Sequence, residues 1–232
     1  MLPRLRLTRR RRAELRIAIA GAGAVGRSIA AELVSDGHQV MLIERDRNHF
    51  EPHTVEQAEW VQADACELSS LEDAGMQLCD VVIAATGDDK VNLVVSLLAK
   101  TEFAVKRVVA RVNDPANEWL FTESWGVDVA VSTPRILSAL VEEAVTVGDV
   151  VRLMTLRQGQ ANLVEITLPG DTPLAGAPVN GLSLPRDAAL VTILRGGRVI
   201  VPTPEDTLEG GDELLFVASA AVENEIRSAL GY

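Results

Sequence analysis

Residues 16–46, RIAIAGAGAVGRSIAAELVSDGHQVMLIERD, constrain this chain more than any other stretch. Ile17 and Ile19, with alanines between, make a short apolar run without a polar face, the pattern of a strand buried on both sides. The run ends in Gly21-Ala22-Gly23-Ala24-Val25-Gly26. Val25, Ile29, Leu33 and Val34 then fall on one face of a helix that Asp36-Gly37 stops. Val40 to Ile43 read as a second strand, with Glu44 at its end.

This order of strand, glycine turn, helix and strand predicts a nucleotide site. Gly21 permits the tight turn, Gly23 lets a diphosphate approach the backbone, and Gly26 lets the helix pack closely. The helix start offers unpaired N–H groups and a positive dipole end to phosphates. Glu44 lies 18 positions after Gly26, close to the roughly 20-residue offset at which an acid accepts hydrogen bonds from an adenosine ribose. A carboxylate there repels a 2′-phosphate, which favours NAD, ATP or ADP over NADP.

The rest of residues 15–133 repeats the alternation. The pattern predicts a weak polar helix over 48–58, a strand at Trp60 to Gln62, and a small-acid-small turn at Ala63-Asp64-Ala65-Cys66. Such a turn at a strand's C-terminal end lies where open α/β sheets bind ligands. A buried fourth strand runs from Asp80 to Thr86 and Gly87, and a helix begins at Asp88-Asp89 with acids favoured by the dipole. A fifth strand covers Arg107 to Val112, a turn and helix start follow at Asn113-Asp114-Pro115, and Trp119 and Phe121 are expected to pack inside. Val127 to Val131 complete six strands, the doubly wound pattern.

Residues 134–149 read as a connecting helix, whose Ile136, Leu137, Leu140, Val141 and Val145 exceed one docking face. They serve either packing on their own domain or a subunit contact. Residues 150–232 change character, to strands at 151–156 and 162–168, a glycine hairpin at Arg195-Gly196-Gly197-Arg198, a strand at 213–217 and a closing helix at 221–230. This is a small α+β domain. Its Arg186, Asp187, Glu205, Asp206 and Asp212 lie near turns and are expected to be solvated.

Composition narrows the function. No stretch approaches the roughly 18 apolar residues of a membrane span, and no signal peptide is recognisable, so a reduced cytosolic setting is expected. Cys66 and Cys79 match no metal or CxxC spacing and read as packed thiols. Residues 1–12 carry six arginines and no acid; removing those from the 22 basic residues leaves 16 against 33 acidic ones. An acidic body argues against wrapping nucleic acid. The basic segment, 1–14, reads as a disordered leader or an unused upstream start; contact with anionic lipid or nucleic acid is the other option. No Walker lysine follows the glycine loop, and residues 150–232 hold no His, Lys or Cys. The chain is equipped to bind a nucleotide and poorly equipped to transform one. An NAD-dependent oxidoreductase with a small substrate domain is the alternative, and a nucleic-acid-binding regulator using the arginine segment a third.

The segments IAIAGAGAVGRSIAAEL, VMLIERD, ADACELSSLEDAG, CDVVIAATGDDKVNLVVSLLAK, RVVARVNDP, LPRDAALVTILRGGRVIVP and GDELLFV together resemble the regulatory subunits of bacterial Trk/Ktr potassium uptake systems, nearest to their short, single-unit form. These combine an N-terminal RCK domain with a C-terminal TrkA-C domain. The resemblance implies a Rossmann-like RCK domain over 15–133 and a TrkA-C domain over 150–232. It implies that Gly21, Ala22, Gly23, Ala24 and Val25 line the diphosphate and that Glu44 holds the ribose. Asp64 and Ala65, with Cys66 next, would meet the adenine; Ala85 and Thr86 would lie along the nucleotide, and Arg111 would contact it. It further implies NAD(H), ADP or ATP as ligand, dimers and rings of identical subunits, and a membrane potassium translocation subunit as partner, with this chain peripheral at the inner face of the membrane. Some relatives carry arginine at the position of Ala24, where it meets a terminal phosphate; Arg27 lies too late to replace it. That departure favours NAD or ADP over ATP sensing.

Overall fold

The computed structural model describes residues 14–156 and 161–231, apart from the side chains at 143 and 144. The arginine-rich segment 1–12 and Tyr232 lie outside the described residues. The chain divides into two units, one up to Thr133 and one from Pro134.

The first unit holds β1 (Arg16–Ala20), α1 (Ala24–Ser35), β2 (Gln39–Glu44), β3 (Glu59–Gln62), α2 (Leu68–Asp73), β4 (Val81–Ala84), α3 (Asp89–Thr101), β5 (Arg107–Val112) and β6 (Val129–Ser132). The strands form one parallel sheet in the order β3-β2-β1-β4-β5-β6. Alternation along β1 and β2 feeds two cores. Ile17, Ile19, Val40 and Leu42 pack with Ile29, Ala30 and Leu33 of α1. Ala18, Ala20, Met41 and Ile43 join Leu71 of α2 and Leu93, Val95 and Ala99 of α3. With both faces covered, the central strands carry no polar side, which is why their sequence reads as unbroken apolar runs.

Two local expectations fail. Residues 48–58 form no α-helix; a short 3₁₀ turn, Pro52–Thr54, stands there. Pro52 has no N–H to give and restricts the residue before it, and Phe50 instead packs edge-on to Trp60, ring centres 5.5 Å apart. Trp119 is 75% exposed while Phe121 is buried. Both follow Asp114 through a 3₁₀ segment, Pro115–Leu120, and residues two apart on a helical turn point in different directions.

The second unit contains α4 (Thr133–Val145, shared at its first residue), β7 (Val151–Leu156), β8 (Ala161–Thr167), β9 (Ala188–Arg195), β10 (Arg198–Ile200), β11 (Glu213–Ala218) and α5 (Glu223–Ala229). Its sheet is antiparallel, in the order β10-β9-β11-β8-β7. Val164, Ile166, Ile193, Leu214 and Phe216 pack with Val222, Ile226 and Leu230 beside and within α5. On α4, Leu137, Leu140, Val141 and Val145 are exposed.

The expectation of solvated charge fails at Asp212, which has no solvent exposure. Its carboxylate accepts Arg195 Nε at 2.7 Å, Arg195 Nη2 at 2.8 Å and the Glu209 N–H at 2.8 Å. A turn residue is solvated only until a neighbouring strand brings it a cation; the β9 end does so here. Arg186, Asp187 and Glu205 are exposed as expected, and Asp206 is half-buried.

Candidate functional site

The strand order reverses between β1 and β4, and a crevice opens where such a reversal leaves the C-terminal strand ends splayed. A cavity of about 600 Å³ occupies that place. It is lined by Gly21, Gly23, Ala24 and Val25 from the first loop and by Glu44, Asp64 and Ala65 from the ends of β2 and β3. Ala85, Thr86 and Arg111 line it from the ends of β4 and β5. Ten of the thirteen residues singled out from the sequence therefore meet in one cleft. The other three stand behind it. Ala22 is buried and donates its N–H to Glu44. Gly26 packs under the loop. Cys66 donates its N–H to Asp64 Oδ1 at 2.9 Å.

The glycines differ in what they do. Gly21 has φ +98°, and a Cβ there would lie 2.9 Å from the Thr86 backbone, so both conformation and space demand glycine. A Cβ on Gly26 would lie 1.9 Å from the Gly21 carbonyl oxygen. Gly23 has an ordinary φ of −64°, and a Cβ there would meet nothing within 4 Å. The fold makes no demand for glycine at 23; it is the cleft that a side chain would enter. Gly23 is also the N-cap of α1 and supplies no side-chain cap, leaving the first-turn N–H groups to face the loop.

Charge is placed along the rim. Arg45 Nη1 meets Asp64 Oδ2 at 3.1 Å. The Cys66 N–H, and then Arg45, hold the Asp64 carboxyl below the usual carboxylate range against the opposing effect of burial. Burial, followed by the Asp64 charge, pushes the Cys66 thiol up, and burial does the same at Cys79. Arg27 turns away: its Nη1 donates to the Ala22 carbonyl at 2.9 Å and pairs with Glu51 at 3.0 Å. Arg111 Nε is buried on the cleft wall with no hydrogen-bond partner. Buried donors in folded proteins are seldom left so, and this one suits an anionic or hydroxyl-bearing ligand.

Several wall residues carry no signal of a site in the sequence. Arg45, His49, Gly87, Asp88 and Val91 also line the cleft. Behind them, Asn92 and Asp89 on α3 bind the cleft loops from within. No spacing rule picks out such a pair, because polar residues early in a helix read as surface by default. A smaller cavity of about 300 Å³ lies among Arg16, His38, Gln39 and Glu59, by the N-terminal ends of β1 to β3. It has neither glycine turn nor helix start. Among the described residues no group of His, Cys, Asp and Glu can hold a metal ion, and no helix is long and apolar enough to cross a membrane.

Residues 17–133 match the TrkA-N domain model and residues 163–231 the TrkA-C domain model. The Trk system potassium uptake protein TrkA of Mycobacterium tuberculosis strain H37Rv is 65% identical over 216 residues, covering 93% of this chain and 98% of that protein. A TrkA homolog of Methanothermobacter thermautotrophicus is 30% identical over 217 residues, covering 93% and 99%. Among solved structures, the GsuK channel bound to NAD superposes with a TM-score of 0.69 at 19% identity; the match covers 94% of this chain and 40% of that one. GsuK bound to ADP matches over 60% of this chain and 37% of its own, with a TM-score of 0.50 at 20% identity. At such identities the GsuK likeness concerns the fold. The two domain models and the 65% identity over nearly the whole length are a different matter: this chain belongs to the TrkA family, the non-enzymatic regulatory components of Trk potassium uptake systems.

Proposed function

We propose that this chain is the nucleotide-sensing subunit that gates a membrane potassium translocation subunit, binding NAD(H), ADP or ATP in the β1–β4 cleft without turnover. The observation that carries the reading is Gly23: a glycine the fold does not require, at the uncapped start of α1, facing a cleft that one side chain would enter. Glu44 and Arg111 flank that spot with an acceptor and a free donor. In this reading the diphosphate rests on the α1 N-terminus, Glu44 accepts the ribose hydroxyls, and Arg111 donates to the ligand. The Asp64 turn faces the adenine, with Arg45 on its outer side.

The ligand supplies no chemistry; it supplies binding energy that differs between two arrangements of the protein, and occupancy shifts the balance by that difference alone. Glu44 favours a ribose with a free 2′-hydroxyl, and with alanine at 24 and Arg27 held by Ala22 and Glu51, NAD or ADP is favoured over ATP. The structures of GsuK with NAD and with ADP support this ligand class. The exposed Leu137, Leu140, Val141 and Val145 of α4 suit a contact between identical subunits. Assembly as a dimer and ring, at the inner membrane face through the partner, completes the reading.

Potassium flux tests it. Vesicles carrying the translocation subunit, with this chain added, are assayed with NAD+, NADH, ADP and ATP. Flux that responds to at least one nucleotide, with that nucleotide recovered intact, supports the reading; flux indifferent to all four contradicts it.

A further inference from the structure

We propose that Asn92 and Asp89 are positioning residues of the nucleotide cleft, setting the relative placement of Thr86 and Arg111 and tying cleft occupancy to residues 113–117. The proposal rests on the reading of the cleft as a nucleotide site.

Asn92 has no solvent exposure, although it stands in the first turn of α3, where an amide is ordinarily solvated. Its Oδ1 accepts the Thr86 N–H at 2.9 Å and the Thr86 hydroxyl at 2.7 Å. Its Nδ2 donates to the Thr86 carbonyl at 3.2 Å and to the Arg111 carbonyl at 2.8 Å. An amide side chain has two donors and two acceptor sites, so this one is fully used, and every bond goes to one of two residues on the cleft wall. A residue kept only for burial would not need that match; a leucine of similar size fills the same space.

Asp89, three residues earlier, extends the staple. Its Oδ1 accepts the Asn113 N–H at 2.7 Å and Asn113 Nδ2 at 2.9 Å. Its Oδ2 accepts the Asp114 N–H at 3.0 Å and Asn117 Nδ2 at 2.9 Å. Asn113 Nδ2 also lies 3.1 Å from the Thr86 carbonyl and donates to it. The Thr86 carbonyl thus receives donors from both α3 and the β5 exit. Thr86 cannot move relative to Arg111 without breaking bonds to Asn92, and the 113–117 segment cannot move relative to either without breaking bonds to Asp89. A ligand that pulls Thr86 or the Arg111 side chain therefore loads this network directly.

The test compares wild-type protein with Asn92→Leu and Asn117→Ala, using ADP and NAD+ as probes. Asn117 is absent from the cleft lining, and Asp89 is its side-chain partner here, so its loss reaches the ligand only through the network. We expect affinity for the better probe to fall roughly tenfold in Asn92→Leu and about two- to threefold in Asn117→Ala, the scale of coupling through packed networks. Hydrogen exchange supplies a readout that a loss of stability alone would not move. In wild type, saturating ligand should slow exchange at the Asn113 and Asp114 amides; in Asn92→Leu, saturated to the same extent, that slowing should vanish. Wild-type binding with unchanged affinity in both variants, or with protection at 113 and 114 retained in Asn92→Leu, overturns the positioning role while leaving the site intact. If Asn92→Leu does not fold, the Asn117→Ala affinity and its 113–114 protection decide alone. Wild-type protein that binds neither probe overturns the cleft reading and this proposal together.

Discussion

Glu44 Oε2 accepts the backbone N–H of Ala22 at 2.7 Å, so the acid at the end of β2 braces the glycine loop at the end of β1. Its other oxygen accepts the Asp46 N–H at 2.8 Å. A carboxylate has about four acceptor sites, which leaves capacity on both oxygens for ribose hydroxyls. The residue is thus a loop brace, and in the proposed function it is a ligand acceptor as well. Glu44→Ala is expected to weaken nucleotide binding by about 1–3 kcal/mol, the scale of lost charge-assisted hydrogen bonds. Calorimetry reads it directly, and equal affinity in the variant would show that Glu44 does not face the ligand.

In the C-terminal unit, Arg195 is the partner that makes a fully buried Asp212 tolerable. Arg195→Ala leaves that carboxylate with the Glu209 N–H and no cation. Removing one member of a fully buried pair costs about 3–5 kcal/mol. The Arg195 side chain is 29% exposed, which screens the pair and reduces that cost, and urea unfolding of this unit should still shift to lower concentration. A midpoint equal to wild type would mean that water reaches Asp212.

Part of the acid sensitivity should trace to Asp89, which is buried. Burial alone would raise its pKa, but hydrogen bonds from Asn117, Asn113 and Asp114 outweigh burial and hold it below the ordinary value. The unfolded chain takes up the proton first, at about pH 3.9. Asp89 therefore contributes its full stability above that pH and loses it as pH falls through the lower folded value. Asp89→Asn should be less stable than wild type at neutral pH, and the gap should narrow below about pH 4. A gap that stays constant in urea titrations from neutral to acid would contradict this assignment.

What the sequence disclosed and what it hid follow from the range of the interactions. The Gly21 loop, α1 and Glu44 are local in chain order, and their spacing alone marks a strand, glycine turn, helix and acid in sequence; the strand reversal beside them shows only in the sheet order. The six-strand alternation was equally plain, because parallel strands covered on both faces leave no polar side to confuse the period. Arg111 and Thr86 entered through resemblance to a family rather than through pattern. Asn92 and Asp89 were opaque: acids and amides at a helix start satisfy dipole and cap preferences whether or not they are buried. Asp89 suits the helix dipole from its position alone, yet it binds groups 24 to 28 residues away. Asp212 was opaque for the same reason, its partner arriving from another strand. Trp119 is opaque too, because apolar bulk does not by itself specify burial: it stands 75% exposed.

If the cleft beside Gly23 holds an adenine nucleotide, as proposed, a side chain at position 23 should exclude it at little cost to the fold. A Cβ there meets nothing, whereas one at Gly26 would strike the Gly21 carbonyl. Gly23→Val should keep the wild-type melting temperature to within a few degrees, while Gly26→Val should not. The decisive measurement is calorimetric titration of NAD+ and ADP into wild type and into Gly23→Val. Saturable binding of at least one ligand to wild type and no measurable heat from the folded variant are expected. Binding to Gly23→Val as tight as to wild type, or a wild type silent to both ligands, would contradict the proposed site.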